Sequence, residues 1–444
     1  MTTPIADFVK NYATRDISRF HMPGHKGKEM LGCERLDITE IDGADVLYSA
    51  GGIIDESECN ASVFFGTKHS FYSTEGSSLC IKAMLALIKK RTPRGKRTTV
   101  LAARNVHKAF IYACALLDID TEWLYPKEFS HLCECNIAPE ELERTLANAD
   151  HLPDAVYLTS PDYLGNIADI KGLSEVCKRY SLPLLVDNAH GAYLGFCEPS
   201  MHPIALGAHM CCDSAHKTFP VLTGGAYLHI ADSFDADKDE VRGALALFAS
   251  TSPSYLILQS LDLCNSYLSG DYREKLAACI SRLDKIKSAL ADHGIFAKET
   301  EPLKLVLTRE SCGYGGDELA KILRDHGIEP EFCDRDAIVL MATPSLEERD
   351  FERLERALST LVAREPVSTD LPAPEIATRA LSIRDAIFSP SEKISTKNAA
   401  GRICASPTVS CPPAVPVVMS GEIITEGAIE LMLYYGIDEI NVIK

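Results

Sequence analysis

Short apolar runs alternate with helix-like stretches through the first two thirds of this 444-residue chain. Compact runs that are bounded by polar or glycine-containing turns are typical of buried strands. Strands that alternate with helices form a wound α/β domain with a mainly parallel sheet. The alternation therefore predicts such a domain, with strands in TTVLAARN, AVYLTS, LPLLVDNAH, HMCCDSAHK and GGAYLHI.

The last third of the chain predicts a second, smaller α/β domain. A long helix is expected from Asp271 to Gly294, with strands in LKLVLTR and AIVLMAT beyond it. The proline-containing stretch AREPVSTDLPAPE then separates a final segment with a helical pattern, ITEGAIELMLYYG. We expect an N-terminal arm over residues 1–30, a large domain over 31–285, a small C-terminal domain over 286–444 and a linker near 363–375.

The charge balance and the hydropathy exclude several classes of partner. The chain has 45 Lys and Arg residues against 63 Asp and Glu residues, a formal net charge of -18, which repels polyanions. No run approaches the ~18 apolar residues of a membrane span, and the first residues lack the basic and apolar regions of a signal peptide. We therefore expect a cytoplasmic protein that binds neither nucleic acid nor membrane.

Sixteen cysteines are scattered through apolar segments of the chain. The closest pairs are Cys133 with Cys135 and Cys211 with Cys212, and neither pair has the two-residue spacing of zinc sites. In a chain without an export signal such cysteines are typically reduced. We expect buried thiols and no bound metal.

One lysine has neighbours that suit covalent cofactor chemistry. Lys217 lies in CCDSAHKTF, just after an apolar run, with Ser214, His216 and Thr218 close to it in sequence. A lysine in this position can form an imine with an aldehyde cofactor while neighbouring hydroxyl and imidazole groups bind phosphate oxygens. A single lysine near a strand end is more commonly solvated, so this interpretation depends on independent partners.

Three other motifs supply such partners. Asp187 closes the strand LPLLVD, where a buried carboxylate can keep the nitrogen of a pyridine cofactor protonated, or an acid can cap the next helix. Gly76, Ser77 and Ser78 open a helix whose free N–H groups favour an anion, or they form an ordinary helix cap. His107 follows a strand in AARNVHKAF and could stack on a pyridine ring, or be a core or surface residue.

The order of these motifs resembles that of the Orn/Lys/Arg decarboxylase family, whose members are fold type I pyridoxal 5'-phosphate (PLP) enzymes. The resemblance covers nearly the whole chain, and eight stretches in this order make it specific. They are RFHMPGHKG at 19–27, DITEIDGADVLYSAGG at 37–52, RNVHK at 104–108, LTSPDYLG at 158–165, LLVDNAHGA at 184–192, DSAHKT at 213–218, STSPSYLILQSLD at 250–262 and CPPAVPVVMSGEIIT at 411–425.

The resemblance implies a role for each matching residue. In the α/β large domain, Lys217 would carry PLP as an imine, Asp187 would contact the pyridinium nitrogen and His107 would stack on the ring. The implied catalytic residues are Lys217, His216 and Asp187. The other implied cofactor contacts are Ser77, Ser78, His190, Ser214 and His216, with Thr251 and Ser252 reaching the neighbouring subunit's cofactor in a homodimer, and the implied substrate contacts are His21 and Glu422.

The implied reaction is decarboxylation of a basic amino acid, which yields CO2 and a polyamine-type amine. After the substrate amine displaces Lys217, loss of CO2 leaves an electron pair that the cofactor absorbs, and His216 or Lys217 returns a proton to Cα. Arginine, lysine and ornithine are the candidate substrates. Resemblance to the short family members, which have no N-terminal wing domain, favours arginine and implies no ring-shaped higher assembly.

The chain departs from the family's usual residues at five positions. Asp162 stands where the family usually has threonine, and Asn188 stands where it has glutamate. Ser420 stands where the family has proline, and Cys411 and Ala414 replace a common tyrosine and glycine. These changes leave the cofactor residues in place and leave the identity of the substrate open.

Two other functions are compatible with parts of the pattern. An aminotransferase of the same fold would hold the substrate carboxylate in the plane of the ring, and Arg402 in GRICA could bind that carboxylate. A non-catalytic, cysteine-rich relative would keep only the fold. The segments FHMPGHKG and SGEIIT resemble the decarboxylases and not the aminotransferases, and they favour decarboxylation.

Overall fold

The computed structural model describes residues 1–127, 130–368, 371, 375–407 and 414–444. The chain forms two compact units that interleave along the sequence. The first unit comprises Met1–Pro93, Ala155–Tyr157 and Ile170–Glu274, and the second comprises Arg94–Asp154, Leu158–Asp169 and Lys275–Lys444. The expected domain limits at residues 30 and 285 stay a prediction, as does the linker near 363–375.

Thirteen strands lie in the described ranges, and they include every strand that the apolar runs predict. Most are four to six residues long, which is the length of a strand that crosses a compact core. They are β1 His69–Ser73, β2 Thr98–Ala103, β3 Ile119–Leu124, β4 Ala155–Thr159, β5 Leu184–Asp187, β6 Met210–Asp213, β7 Ala226–Ile230, β8 Lys304–Thr308, β9 Phe332–Cys333, β10 Ala337–Met341, β11 Ser391–Ser395, β12 Cys404–Ser406 and β13 Glu439–Ile443.

Fifteen α-helices lie in the same ranges, and they include the expected helices that open at Ser77 and follow Asp271. None of the described helices is long and apolar enough to cross a membrane. They are α1 Pro4–Thr14, α2 Ile53–Phe65, α3 Ser77–Arg91, α4 Lys108–Leu117, α5 Pro139–Ala147, α6 Ile170–Arg179, α7 Ala215–Thr218, α8 Lys238–Ala246, α9 Tyr255–Leu268, α10 Tyr272–Asp292, α11 Arg309–Cys312, α12 Gly316–Asp325, α13 Glu348–Leu358, α14 Ile383–Phe388 and α15 Glu426–Tyr434.

The sheet of the first unit has the strand order β1-β7-β6-β5-β4. β5 runs parallel to β6, and β7 runs antiparallel to both of its neighbours, β6 and β1. All residues of β5, β6 and β7 are buried. Strands that are covered on both faces have continuous apolar sequences. The positions of these strands could therefore be predicted from the sequence.

The second unit contains one parallel pair of strands and two three-stranded sheets. β2 pairs with β3 in parallel, β8-β10-β9 form an antiparallel sheet, and β11-β13-β12 form another. The last of these packs under α15, where Val418, Ile429, Met432, Ile440 and Val442 belong to one buried apolar cluster. The final segment of the chain therefore has its own hydrophobic core.

The position of Lys217 corrects one expectation. β6 ends at Asp213, and Lys217 lies on the one-turn helix α7 and not at the end of the strand. The apolar run stops at Cys212, and Ser214, which has an extended backbone, occupies the N-cap of α7. Because a turn of helix follows the strand directly, the lysine stays close to the strand end but projects from a helical backbone.

Candidate active site

Two acidic residues end neighbouring parallel strands of the first unit. Asp187 is the last residue of β5 and Asp213 is the last residue of β6, and the exposed fractions of these residues are 3% and 0%. In open α/β sheets, ligands bind outside the carboxyl ends of the parallel strands. The residues that follow these two strands, which include the predicted cofactor residues His190 and Lys217, therefore lie at the edge where a ligand is expected.

Lys217 and His190 are in contact at this edge. The Nζ atom of Lys217 lies 3.0 Å from Nε2 of His190. The ammonium group has only donors, so this imidazole nitrogen accepts when the lysine is charged, and it can take a proton from the lysine. An amine that can lose its proton to a neighbouring base is suited to attack an aldehyde carbon.

Asp187 is a buried carboxylate with weak neutral donors. It accepts hydrogen bonds from the backbone N–H of Ala189 at 3.2 Å, the hydroxyl of Tyr157 at 3.4 Å and the thiol of Cys212 at 3.5 Å. Burial raises the pKa of Asp187, and the charge of Lys217 offsets part of that rise. A protonated pyridine nitrogen would supply the counter-charge that this carboxylate needs.

Helix α3 begins with a cradle that suits an anion. Its N-cap, Gly76, has a φ of 70°, and a Cβ added there would meet no atom of the described residues within 4 Å. The hydroxyl of Ser214 donates to the hydroxyl of Ser77 at 2.9 Å, and Ser78 follows in the first turn. The free N–H groups and positive end of a 15-residue helix favour a phosphate.

His216 has a defined ring orientation. Its Nδ1 lies 2.9 Å from the carbonyl oxygen of Gly225, and a carbonyl only accepts, so Nδ1 carries a proton. In the neutral ring Nε2 is then an acceptor. The predicted roles of His216, as a phosphate ligand or as a proton donor through Nε2, therefore require the doubly protonated imidazolium.

The remaining predicted residues of the first unit lie at its surface or are partly buried. Thr251 and Ser252 are exposed in the turn between α8 and α9. His21 is partly buried, and its Nε2 lies 2.6 Å from the hydroxyl of Tyr12. Their assignments to a neighbouring cofactor and to the substrate stay predictions.

His107 belongs to the second unit, where it caps a helix. Its Nδ1 accepts a hydrogen bond from the backbone N–H of Ala109 at 3.1 Å, which fixes the ring at the start of α4. The backbone N–H of Lys108 donates to the carbonyl oxygen of Ala414 at 3.0 Å. The role of His107 as a helix cap was not among the expectations, and its stacking on the cofactor stays a prediction.

Glu422 has a partner that the sequence analysis missed. Its two carboxylate oxygens accept from the guanidinium of Arg104 at 2.9 and 2.7 Å, and one also accepts from the backbone N–H of Met419 at 2.8 Å. Glu422 is 3% exposed, and the guanidinium also lies over Trp123 at 5.1 Å. The signal in the sequence is Arg104 itself, the first residue of the RNVHK motif.

Four of the five unusual residues lie in the part of the chain that the structure describes. Asp162 is buried, accepts two hydrogen bonds from Asn166 and has a pKa that burial raises to about 6. Ala414 has a φ of 60°, in the left-handed region that favours the family's usual glycine. Asn188 donates to Asp213 at 2.7 Å. Ser420 is buried, and Cys411 lies outside the described residues.

Two further observations bear on the alternatives. Arg402, on which the aminotransferase interpretation depends, donates to Glu392 at 2.8 Å and to the carbonyl oxygen of Ile443. His202, Cys211 and Asp213 are buried, and their donor atoms lie within 4.8 Å of one another, so they could hold a metal ion. The expectation of no bound metal therefore stays a prediction.

The strand topology, the lysine and the buried acid define the class of fold type I PLP enzymes. Comparison with known proteins then identifies the family, because residues 3–306 match the Orn/Lys/Arg decarboxylase major domain and residues 365–437 match its C-terminal domain. The chain belongs to the Orn/Lys/Arg decarboxylase family, and it is a PLP-dependent decarboxylase of basic amino acids.

The relatives cover nearly all of the chain. It is 30% identical to an arginine decarboxylase of Bacillus subtilis, over 96% of this chain and 91% of the relative. It is 29% identical to an arginine decarboxylase of Halalkalibacterium halodurans over the same shares.

Among solved structures, the constitutive lysine decarboxylase of Escherichia coli is similar with a TM-score of 0.78 and 17% identity, over 100% of this chain and 82% of that one. A NifS-like protein is similar with a TM-score of 0.54 and 14% identity, over 69% of this chain and 87% of that one.

The ion pair of Glu422 generates a prediction about stability. We expect Glu422→Gln to lower the free energy of unfolding by about 3 kcal/mol, because Arg104 would keep a buried charge without its counter-charge. Urea denaturation followed by tryptophan fluorescence measures this change, since Trp123 is the one tryptophan of the chain and lies beside the guanidinium.

Glu430→Gln on the exposed side of α15 is the matched control and should change stability by less than about 0.5 kcal/mol. If Glu422→Gln is as stable as the parent but has a raised KM for basic amino acids, the carboxylate serves the substrate and not the fold.

Proposed function

We propose that this decarboxylase acts on arginine and releases CO2 and the corresponding guanidino amine, a precursor for polyamine synthesis. The observation that carries the proposal is the extent of the similarity. The relatives named as arginine decarboxylases align over 94–96% of the chain, whereas the constitutive lysine decarboxylase of Escherichia coli is 22% identical over 62% of it. The acidic net charge of -18 also suits a cationic substrate.

The residues at the carboxyl ends of β5 and β6 fit the bound cofactor. Lys217 would attach it, Asp187 would pair with its pyridine nitrogen, and Ser77, Ser78 and Ser214 would hold its phosphate at the N-terminus of α3. When bound, PLP supplies the electron sink that stabilises negative charge at Cα as CO2 leaves. The buried raised-pKa carboxyl of Asp187 supports the pairing, because a cationic nitrogen would restore its ionised form.

The contact between Lys217 and His190 supports a proton path within the chain. A lysine must be neutral to act as a nucleophile, and Nε2 of His190 lies 3.0 Å from Nζ, within reach of a transferred proton. We assign to His190 the deprotonation of Lys217 when the amine product leaves and the lysine attaches the cofactor again. The same contact lets the lysine recover a proton that it has given away.

We further propose that two copies form a homodimer in the cytoplasm. Large apolar side chains of the N-terminal segment are exposed, with Phe20 at 96%, Met30 at 86% and Leu31 at 89%, and a protein partner would remove them from water. Thr251 and Ser252 are exposed in one chain. A residue that contacts a neighbouring subunit must be exposed in this way. The fifteen described cysteines are free thiols, as in proteins of a reducing compartment.

The reaction itself gives a direct test. The purified enzyme with PLP should release CO2 and amine from arginine, with a kcat/KM at least about tenfold above those for lysine and ornithine. Absorbance at about 420 nm should disappear on borohydride reduction and in Lys217→Ala. Lys171→Ala, at an exposed position on α6, is the matched control. Formation of a keto acid without CO2, or an active Lys217→Ala, would contradict the assignment.

Shared active sites can be tested by mixing inactive variants. Lys217→Ala and the double variant Thr251→Ala/Ser252→Ala should each be inactive as homodimers. Co-expressed, they should recover about a quarter of the parent activity, because half of the dimers are mixed and each mixed dimer has one intact site. Sedimentation should give twice the mass of one chain. A purified mixed dimer without activity would show that the hydroxyls act within their own subunit.

A further inference from the structure

The ends of β5 and β6 are joined by a buried side-chain hydrogen bond. The amide nitrogen of Asn188 donates to Oδ1 of Asp213 at 2.7 Å, and both residues are fully buried. The backbone N–H of Asn188 also donates to the carbonyl oxygen of Cys212 at 3.0 Å. Asn188 directly follows Asp187, and Asp213 directly precedes Ser214. The bond therefore links the two segments that carry the proposed cofactor residues.

Asp213 is held in its ionised form from the other side. Its Oδ2 lies 3.0 Å from Nε2 of His202 and 3.2 Å from Nε2 of His229. The hydroxyl of Ser70 meets the other nitrogen of His229 at 2.8 Å. Burial acts to raise the pKa of Asp213, but His202 and His229 hold it well below its usual range. The carboxylate therefore accepts from three N–H donors and keeps its charge inside the core.

This anion makes a hydrogen-bond donor at position 188 favourable. A carboxylate at 188 would face the ionised carboxylate of Asp213 at hydrogen-bond distance, and two buried anions in contact repel strongly. Asparagine presents a donor instead. A Cβ added at Gly191 would lie 2.0 Å from Oδ1 of Asn188, so the glycine leaves room for the amide. Positions 188 and 213 are thus coupled.

We propose that Asn188 and Asp213 act as one positioning pair that sets Asp187 and Lys217 in register for the cofactor. The inference rests on the proposed cofactor site. The thiol of Cys212, one residue before Asp213, contacts Asp187 at 3.5 Å, and Ser214, one residue after it, contacts the cradle of α3. A shift of either strand end would change the distance from Asp187 to the lysine that carries the cofactor.

The pair can be reversed without changing its size. In the double variant Asn188→Asp/Asp213→Asn, the new amide nitrogen at 213 would donate to the new carboxylate at 188. The carbonyl oxygen at 213 would still accept from both imidazoles, because an amide oxygen has two lone pairs. Of the single substitutions, Asn188→Asp sets two carboxylates against each other, and Asp213→Asn replaces the bond to an anion with a weaker bond between two neutral amides. A double-mutant cycle therefore isolates the coupling.

The experiment measures cofactor binding and the spectrum of the bound cofactor in the parent, both single variants and the double variant. We expect each single variant to bind PLP at least about tenfold more weakly and to shift the apparent pKa of the absorbance of bound PLP. The double variant should bind within about threefold of the parent and restore that pKa. Thermal unfolding of the apoprotein shows that each variant is folded, and Asn398→Asp, at an exposed position, is the matched control.

Three results would overturn the proposal. The first is single variants with unchanged cofactor affinity and spectrum. The second is a double variant no better than the worse single one. The third is about one zinc per chain that is lost in Cys211→Ser, because His202, Cys211 and Asp213 would then be metal ligands. If Asp213→Asn does not fold, Asn188→Ala removes the same bond and should weaken PLP binding equally. A parent with a normal cofactor spectrum but no reaction with arginine would refute the proposed substrate alone.

Discussion

The parallel pairing of β5 with β6 is the constraint on which the site depends. It brings two acids, Asp187 and Asp213, to one edge of a sheet whose residues are buried, where water cannot compensate their charge. The fold treats them in opposite ways. Asp213 receives three N–H donors and stays ionised, whereas Asp187 has weaker donors and a raised pKa. Neighbouring acids whose pKa values are shifted in opposite directions have different roles. Asp187 is the one that still requires a cationic partner, because its pKa is raised.

The local parts of this arrangement could be predicted from the sequence. The strands are buried on both faces and therefore appear as continuous apolar runs, and α3 was visible from its glycine and serine opening. Lys217 and Asp187 could be named as candidates because each ends or follows such a run. The one-turn helix that carries Lys217 was missed, because four residues are too few to show a helical period.

The contacts between distant parts of the sequence could not be predicted in this way. Arg104 and Glu422 are 318 positions apart. The sequence pattern near either residue does not predict a contact with the other. His229 lies within β7 and His202 lies in a connecting segment. In the sequence each resembles an ordinary buried histidine, and only the fold shows that both contact Oδ2 of Asp213. The contact between Asn188 and Asp213 likewise could not be predicted, because it joins residues that follow and end two neighbouring strands.

Glu422 limits how a guanidinium can be recognised. An ionised carboxylate offers about four lone-pair sites, and here two are taken by Arg104 and one by the backbone of Met419. One acceptor site is then left among the described contacts, which suffices for a single N–H donor but not for the two parallel bonds of a guanidinium fork. If Glu422 meets the substrate with its ion pair intact, it contributes one bond, and preference for arginine over lysine must come from a second acceptor that pairs with the rest of the fork.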